Sequence, residues 1–186
     1  YSLVFKNVSF VFIKFENINK GHVTKMWNVL FKRAYDEDCD YFYQCGDDIV
    51  FHTKGWVNDC INKLKGNDDI GLVGPINNNN LILTQAFVSR EHMNIFGWFF
   101  PEEIINWGCD DWYNHVYSPD MFFPLKQHYC SNEGGTPRYT INNDPKYTMN
   151  MSYNTTILRE HAKKLAFKHK TLIQNHLKNK TYVIVD

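Results

Sequence analysis

The chain has 186 residues, enough for one domain with a sizeable core, and its 44% hydrophobic and 16% aromatic content excludes a disordered or fibrous protein. Lys plus Arg number 20 and Asp plus Glu number 20, so the formal net charge is zero. A duplex nucleic-acid binder would show a basic excess, and the balance argues against nucleic acid as a partner.

No apolar run approaches the ~20 residues that cross a bilayer, so no transmembrane segment is expected in the chain. Five cysteines (Cys39, Cys45, Cys60, Cys109 and Cys130) form no CxxC pair and are odd in number. That pattern suits a reducing compartment such as the cytoplasm better than a disulfide framework or a zinc site. Sequons at Asn7, Asn150, Asn154 and Asn179 arise readily in an Asn-rich chain and carry little weight. The sequence begins at Tyr1 within a stretch that reads as ordered, which suggests an amino-terminally truncated fragment.

In chain order, Val8 to Ile13 (VSFVFI) is β-branched and aromatic and reads as a buried strand. After Gly21, the spacing of Val23, Trp27, Leu30, Phe31 and Ala34 predicts a helix. Asp36 to Asp40 is an acidic loop, and Tyr41 to Cys45 a second strand that ends at Gly46-Asp47-Asp48. Trp56, Val57, Cys60, Ile61 and Leu64 predict a second helix, and Ile70 to Val73 a third strand stopped by Gly74-Pro75. Alternation of strand and helix predicts an α/β fold with a doubly wound, largely parallel sheet. A strand at Ala86 to Ser89, a short helix from Arg90 to Phe96 and a helical turn from Asp110 to about Tyr117 follow. The Gly-, Pro- and Asn-rich stretch 131–150 reads as a flexible loop, and 157–178 as a carboxy-terminal helix with Leu158, Leu165, Leu172, Ile173 and Leu177 on one side. The whole reads as a single domain with its core in residues 8–130.

Two acidic pairs carry the candidate chemistry. Asp47 and Asp48 follow a buried strand, where an α/β sheet opens its ligand crevice. Adjacent carboxylates repel each other, and a divalent cation with hard oxygen preferences, Mg²⁺ or Mn²⁺, relieves that repulsion; the alternative is a solvated turn. Trp107-Gly108-Cys109-Asp110-Asp111-Trp112 places a second pair between two tryptophans. Aromatic faces with carboxylates commonly hold carbohydrate, so Trp107 and Trp112 are candidate substrate contacts. A desolvated carboxylate there can also take a proton; the alternative is a helix amino terminus, where acids are favoured anyway. In Asn132-Glu-Gly-Gly-Thr-Pro-Arg-Tyr139, the glycines permit close approach to a ligand and Arg138 suits a diphosphate, against an ordinary turn with an exposed Arg. Lys163, Lys164, Lys168 and Lys170 make the last helix basic, by default a solvated face.

Together, the two motifs resemble those of GT-A glycosyltransferases of the family 2 type. Tyr-Phe-Tyr-Gln-Cys-Gly-Asp-Asp-Ile-Val-Phe (41–51) resembles the strand and DxD motif, Trp-Gly-Cys-Asp-Asp-Trp (107–112) the later acidic motif, and Val-Ser-Arg-Glu-His-Met (88–93) the segment between them. The resemblance covers roughly residues 8 to 130. It implies a GT-A (Rossmann-like) three-layer α/β/α fold with a mostly parallel central sheet. It implies a metal-dependent, inverting transfer from a nucleotide-diphosphate sugar donor to a hydroxyl of a glycan or similar acceptor. By the resemblance, Asp48 is the main ligand of Mn²⁺ or Mg²⁺ and Asp47 supports it or touches the ribose. Asp110 holds the acceptor hydroxyl, and Asp111 is the general base. A further metal-ligating His is implied, with His128 preferred over His161; His115, four residues after Asp111, shares its helix face. Gly46 stands where many members carry an acid, Asp110 stands in place of Glu, and only one strand and helix precede the first motif. Two rival readings share these residues: another metal-dependent transferase on nucleotides, such as a nucleotidyltransferase, and a catalytically degenerate domain that binds glycan or a partner.

Overall fold

The structure is a computed structural model and describes residues 7–79, 81–135 and 155–182. In chain order the elements are α1 (Val23–Asp36), β1 (Tyr41–Gln44), β2 (Ile49–Phe51), α2 (Trp56–Lys65), β3 (Leu72–Ile76), β4 (Ala86–Ser89), α3 (Glu91–Phe96), α4 (Cys109–Tyr117), β5 (Phe122–Asn132) and α5 (Thr155–Tyr182). No helix among the described residues is long and apolar enough to cross a membrane.

The five strands of the described residues form one mixed sheet in the order β1-β4-β3-β5-β2. Three of its four pairings are antiparallel, and only β3 with β5 is parallel. The expected GT-A, Rossmann-like sheet of mostly parallel strands is therefore corrected. Strand–helix–strand order implies parallel neighbours only when the helix joins strands that pair with each other. Here α2 joins β2 to β3, which β5 separates, and no helix among the described residues joins β3 to β4. Both β2 and the 11-residue β5 lie outside the sequence expectation, and they decide the topology.

Two further expectations change. Val8 to Ile13 forms no strand, and Val8, Phe10, Val11 and Phe12 stand 51–92% exposed. An apolar run specifies a strand only if a sheet edge receives it, and no described strand pairs with this one. Strand β3 runs through Gly74 and Pro75 instead of stopping there. Pro75 lacks an N–H, but the only β4 partner in the ladder belongs to Val73, and the register with β5 shifts just after Pro75. Proline is tolerated at such an irregularity.

Alternate residues along the strands serve opposite faces. Phe42, Leu72, Ala86 and Val88 join a large cluster with Phe31, Phe99, Phe100, Trp112, Tyr113, Ala162 and Ile173. Val73 and Phe87 join Cys60, Leu64 and Leu125 under α2. The long helix α5 packs mainly on α4. Its buried stripe is Leu158, Ala162, Ala166, His169 and Ile173, spaced for one helix face. Leu172, expected on that face, is 37% exposed. The small alanines admit the close approach of α4 that a leucine stripe would prevent.

Two polar residues one turn apart fix α1 against the chain entering α4. Thr24 Oγ1 donates to the carbonyls of Ile104 and Ile105. Asn28 Nδ2 donates to the carbonyl of Phe100 (2.8 Å), and its Oδ1 accepts from the backbone N–H groups of Phe99 (3.0 Å) and Phe100 (2.7 Å). These contacts set α1 as a wall facing the end of β1.

Candidate active site

Strand β1 delivers the first acidic motif. After Gln44 the chain turns through Cys45–Asp48 into β2, whose Ile49 pairs with Asn132 at the end of β5. The Glu133 N–H donates to the Asp48 carbonyl at 2.9 Å, which pins the turn against residues 133–135. A Cβ on Gly46 would collide with Asp48 Oδ1, and one on Gly134 with the Asp48 carboxyl and its Cβ. The Asp48 carboxylate thus lies in a sleeve formed by two side-chain-free residues.

Helix α4 delivers the second motif. Gly108 caps its amino terminus with φ +91°, and a Cβ there would stand 3.1 Å from the Leu158 carbonyl of α5. Only glycine combines that backbone with that approach. Asp110 and Asp111 occupy the first turn, where the helix dipole favours acids. Buried Asn114, one turn later, donates to the Leu83 carbonyl (2.7 Å) and the Asp110 carbonyl (2.8 Å) and accepts from the Leu83 N–H (3.0 Å). It ties the loop before β4 to the acidic turn.

The two motifs meet in one cavity of about 600 Å³. Val23, Met26 and Trp27 of α1 form an apolar wall; Gln44, Gly46 and Asp48 come from the first motif, and Cys109 and Asp110 from the second. Thr84 and Gln85, with Asn78, Asn79, Asn132 and Gly135, complete the lining. No Lys, Arg or His belongs to it among the described residues. A second cavity of about 500 Å³, on another face of α1, contains none of the expected site residues.

Electrostatics separate the two acids of α4. Burial raises Asp110 from 3.8 to about 7, although the Tyr113 O–H (3.1 Å) and the Cys109 S–H (3.5 Å) both donate to its Oδ1 and hold it lower than burial alone would. Asp111 is also raised by burial, but less freely, because Arg159 of α5 opposes the shift from 3.7 Å. Asp110 lines the cavity and Asp111 does not. Of the two acids, Asp110 is therefore the one that faces the space Asp48 also lines.

The remaining expected residues are dispersed. Asp47 is exposed at the turn and does not line the cavity. Trp107 is half-buried and outside the lining. Trp112 is fully buried, with Nε1–H donating to His169 Nδ1 at 3.2 Å and rings of Phe96, Trp98 and Phe100 around it. Its face is closed to any ligand, so the expectation of a substrate platform at Trp112 is corrected to a core role. Trp27 instead is the aromatic residue on the cavity wall. The ring nitrogens of His128 face Asp59 Oδ2 (2.8 Å) and Thr53 Oγ1 (3.1 Å), away from the cavity, and the pair with His128 lowers Asp59. His161 lies on α5 and outside the cavity; His115 does face Asp111 electrostatically. Arg138 lies outside the described residues.

Among the described residues no three His, Cys, Asp or Glu side chains converge to hold a metal by themselves. The cavity's donors are nonetheless hard oxygens, from the Asp48 carboxylate and side-chain amides, the set that suits Mg²⁺ or Mn²⁺ when a ligand's own oxygens complete the shell.

Trp27, Gln44, Gln85 and Asn114 are among the lining or supporting residues that escape the sequence reading. Gln44 carried a legible signal. Along Tyr41-Phe-Tyr-Gln44 the burial alternates, so Gln44 takes the inward position after Phe42, where an apolar residue belongs. No family model, curated protein or solved structure matches the chain.

Proposed function

We propose that the protein is a metal-dependent glycosyltransferase, moving a sugar from a nucleotide-diphosphate donor to a hydroxyl of a glycan or similar acceptor. The observation that carries this reading is the single cavity into which Asp48 and Asp110 both project, beside an apolar wall that includes Trp27. Such a cavity combines an aromatic surface for sugar C–H groups, amides and carboxylates for hydroxyls, and one carboxyl with an affinity for protons matched to neutral pH.

In the transfer, the acceptor oxygen forms a bond to the anomeric carbon as the bond to the diphosphate breaks, and the leaving nucleoside diphosphate takes that electron pair. The acceptor proton passes to the ionised Asp110 carboxylate. Attack from the face opposite the leaving group inverts the anomeric centre. Asp48 would hold the divalent cation, which neutralises charge on the leaving diphosphate. Since the described lining holds no cationic side chain, an anionic donor depends on that neutralisation.

Thermal shift with nucleoside diphosphates and nucleotide sugars, each with and without Mn²⁺, tests the donor class. A stabilisation that needs both metal and nucleotide, and that disappears in Asp48→Asn, is expected. Asp110→Asn should lower transfer ~10²–10⁴-fold while keeping donor binding, whereas Asp111→Asn should change turnover far less. Full transfer activity in both Asp48→Asn and Asp110→Asn would overturn the reading. Wild-type turnover should rise with pH as Asp110 ionises at about 7.

A further inference from the structure

Gln44 holds an unusual position among the polar side chains of the cavity. It is 9% exposed and lies at the end of β1, and its Oε1 is buried without a hydrogen-bond partner. A buried carbonyl oxygen left unpaired forfeits its hydration with nothing in return, so such atoms are scarce in folded proteins. Two other buried groups share that state, Tyr43 Oη and Asn77 Nδ2. Neither residue lines the cavity: Tyr43 faces Trp56 and Phe87 on the α2 side of the sheet, and Asn77 closes a turn by accepting from the Asn79 N–H. Among the described residues, Gln44 alone combines a missing donor with a place in the cavity wall.

The neighbours leave that donor to come from a ligand. Asp48 and ionised Asp110 are acceptors, and no N–H or O–H among the described residues, the side-chain donors of Asn79, Thr84 and Gln85 on the same wall included, pairs with Gln44 Oε1. The ligand group must therefore bring an O–H or N–H. A bare anion is also disfavoured, because two carboxyl groups and no basic side chain of the described residues line the space. A sugar ring meets both demands: its hydroxyls donate, and its C–H face packs on an indole such as Trp27.

We infer that Gln44 is a specificity-determining residue whose Oε1 accepts a hydrogen bond from a sugar hydroxyl seated between Asp110 and the Trp27 wall. The identity of the ligand as a sugar rests on the glycosyl-transfer reading; the need for a hydrogen-bond donor rests on Gln44 itself. A site built to pair with a hydroxyl rejects the analogue lacking it, since the buried acceptor is then left unpaired.

The test is Gln44→Met, which keeps length and volume and removes the acceptor. Without any ligand, the thermal midpoint of Gln44→Met should equal or exceed that of the wild type, because an unpaired acceptor disappears. Titration with glucose, galactose, mannose and N-acetylglucosamine, followed by saturation-transfer NMR, should show at least one sugar bound to the wild type and held about tenfold more weakly by Gln44→Met. A lowered midpoint in the ligand-free variant would assign Gln44 to structure and overturn the inference. Equal sugar affinity in both proteins, or no sugar bound by the wild type, would overturn it as well. Sugar binding that depends on Gln44 in a protein without transfer activity keeps the inference and removes the transferase. Transfer with an unchanged KM for both substrates in Gln44→Met does the reverse.

Discussion

At the scale of single residues, the sleeve around Asp48 shows how a side chain's absence can position another. A first-motif acid at position 46 would place its Cβ on the Asp48 carboxylate, so Gly46 is the residue this geometry admits. The colliding atom is the free end of a short side chain, which can swing aside at little cost. Gly46→Ala is therefore expected to change folding stability by less than ~1 kcal/mol. It should nevertheless displace the carboxylate and abolish the Mn²⁺-dependent part of the thermal shift. A full Mn²⁺ response in Gly46→Ala would show that the Asp48 carboxylate tolerates displacement, and that its sleeve is incidental.

At the scale of elements, the site is the junction of a strand end and a helix start, each fixed by contacts remote in sequence. The α4–α5 contact sets the height of the acidic turn, because Gly108 lies directly against the Leu158 carbonyl. Gly108→Ala adds both left-handed strain and a 3.1 Å contact with backbone that cannot yield cheaply. Its expected cost is ~1–3 kcal/mol in a denaturant titration. Because Asp110 moves with the turn, its proton affinity should shift in the same variant, read as a displaced pH–rate profile. Asn114 makes the same link by hydrogen bonds, tying Leu83 to the turn that holds Asp110. On a helix whose neighbours are Asp, Tyr and His, a buried amide looks like one more surface residue, and only the packed loop shows its use.

At the scale of the whole molecule, two buried groups pull stability in opposite directions with pH. His92 donates from Nε2 to the Phe99 carbonyl (3.1 Å), so its Nδ1 accepts from the Tyr117 O–H (2.8 Å), and burial lowers it from 6.5 to about 4. The folded state holds it neutral, so its contribution is present above 6.5 and is lost as pH falls through about 4. Glu91, where pairing with Lys180 and His176 of α5 outweighs burial, also loses its contribution on acidification. Asp110 has the opposite sign: its folded value is raised, so stability is greatest below 3.8 and falls as pH rises through about 7. Asp110→Asn removes that term. At 1.36 kcal/mol per pH unit the variant should gain up to ~4 kcal/mol over the wild type above pH ~7, with no gain in strong acid. Its acid destabilisation should be correspondingly steeper, as denaturant midpoints across that range would show. A gain that does not grow with pH would mean that Asp110 stays solvated in the folded protein.

The sequence by itself determined the identity of most elements and of the two acidic pairs. Helical spacing marked α1, α2 and α5, and β-branched and aromatic runs marked β1 and β4, because periodicity is a local property of the chain. It misread Val8 to Ile13 as a strand and Gly74-Pro75 as a stop, since both depend on which neighbour is present to pair. Strand direction was beyond it: β2 has only three residues, β5 is interrupted by Pro124 and turns polar after Leu125, and pairing across the sheet is a non-local choice. The same limit applied to the site. Asp48 and Asp110 were legible as carboxylates in suggestive settings, while Trp112 looked like a sugar platform because a tryptophan's burial cannot be read from its neighbours in sequence. Only the tertiary structure decided that Trp112 belongs to the core, that His128 serves Asp59, and that Asp110 rather than Asp111 shares a cavity with Asp48. Proton affinity and access depend on desolvation by residues far along the chain, and those distances close only on folding.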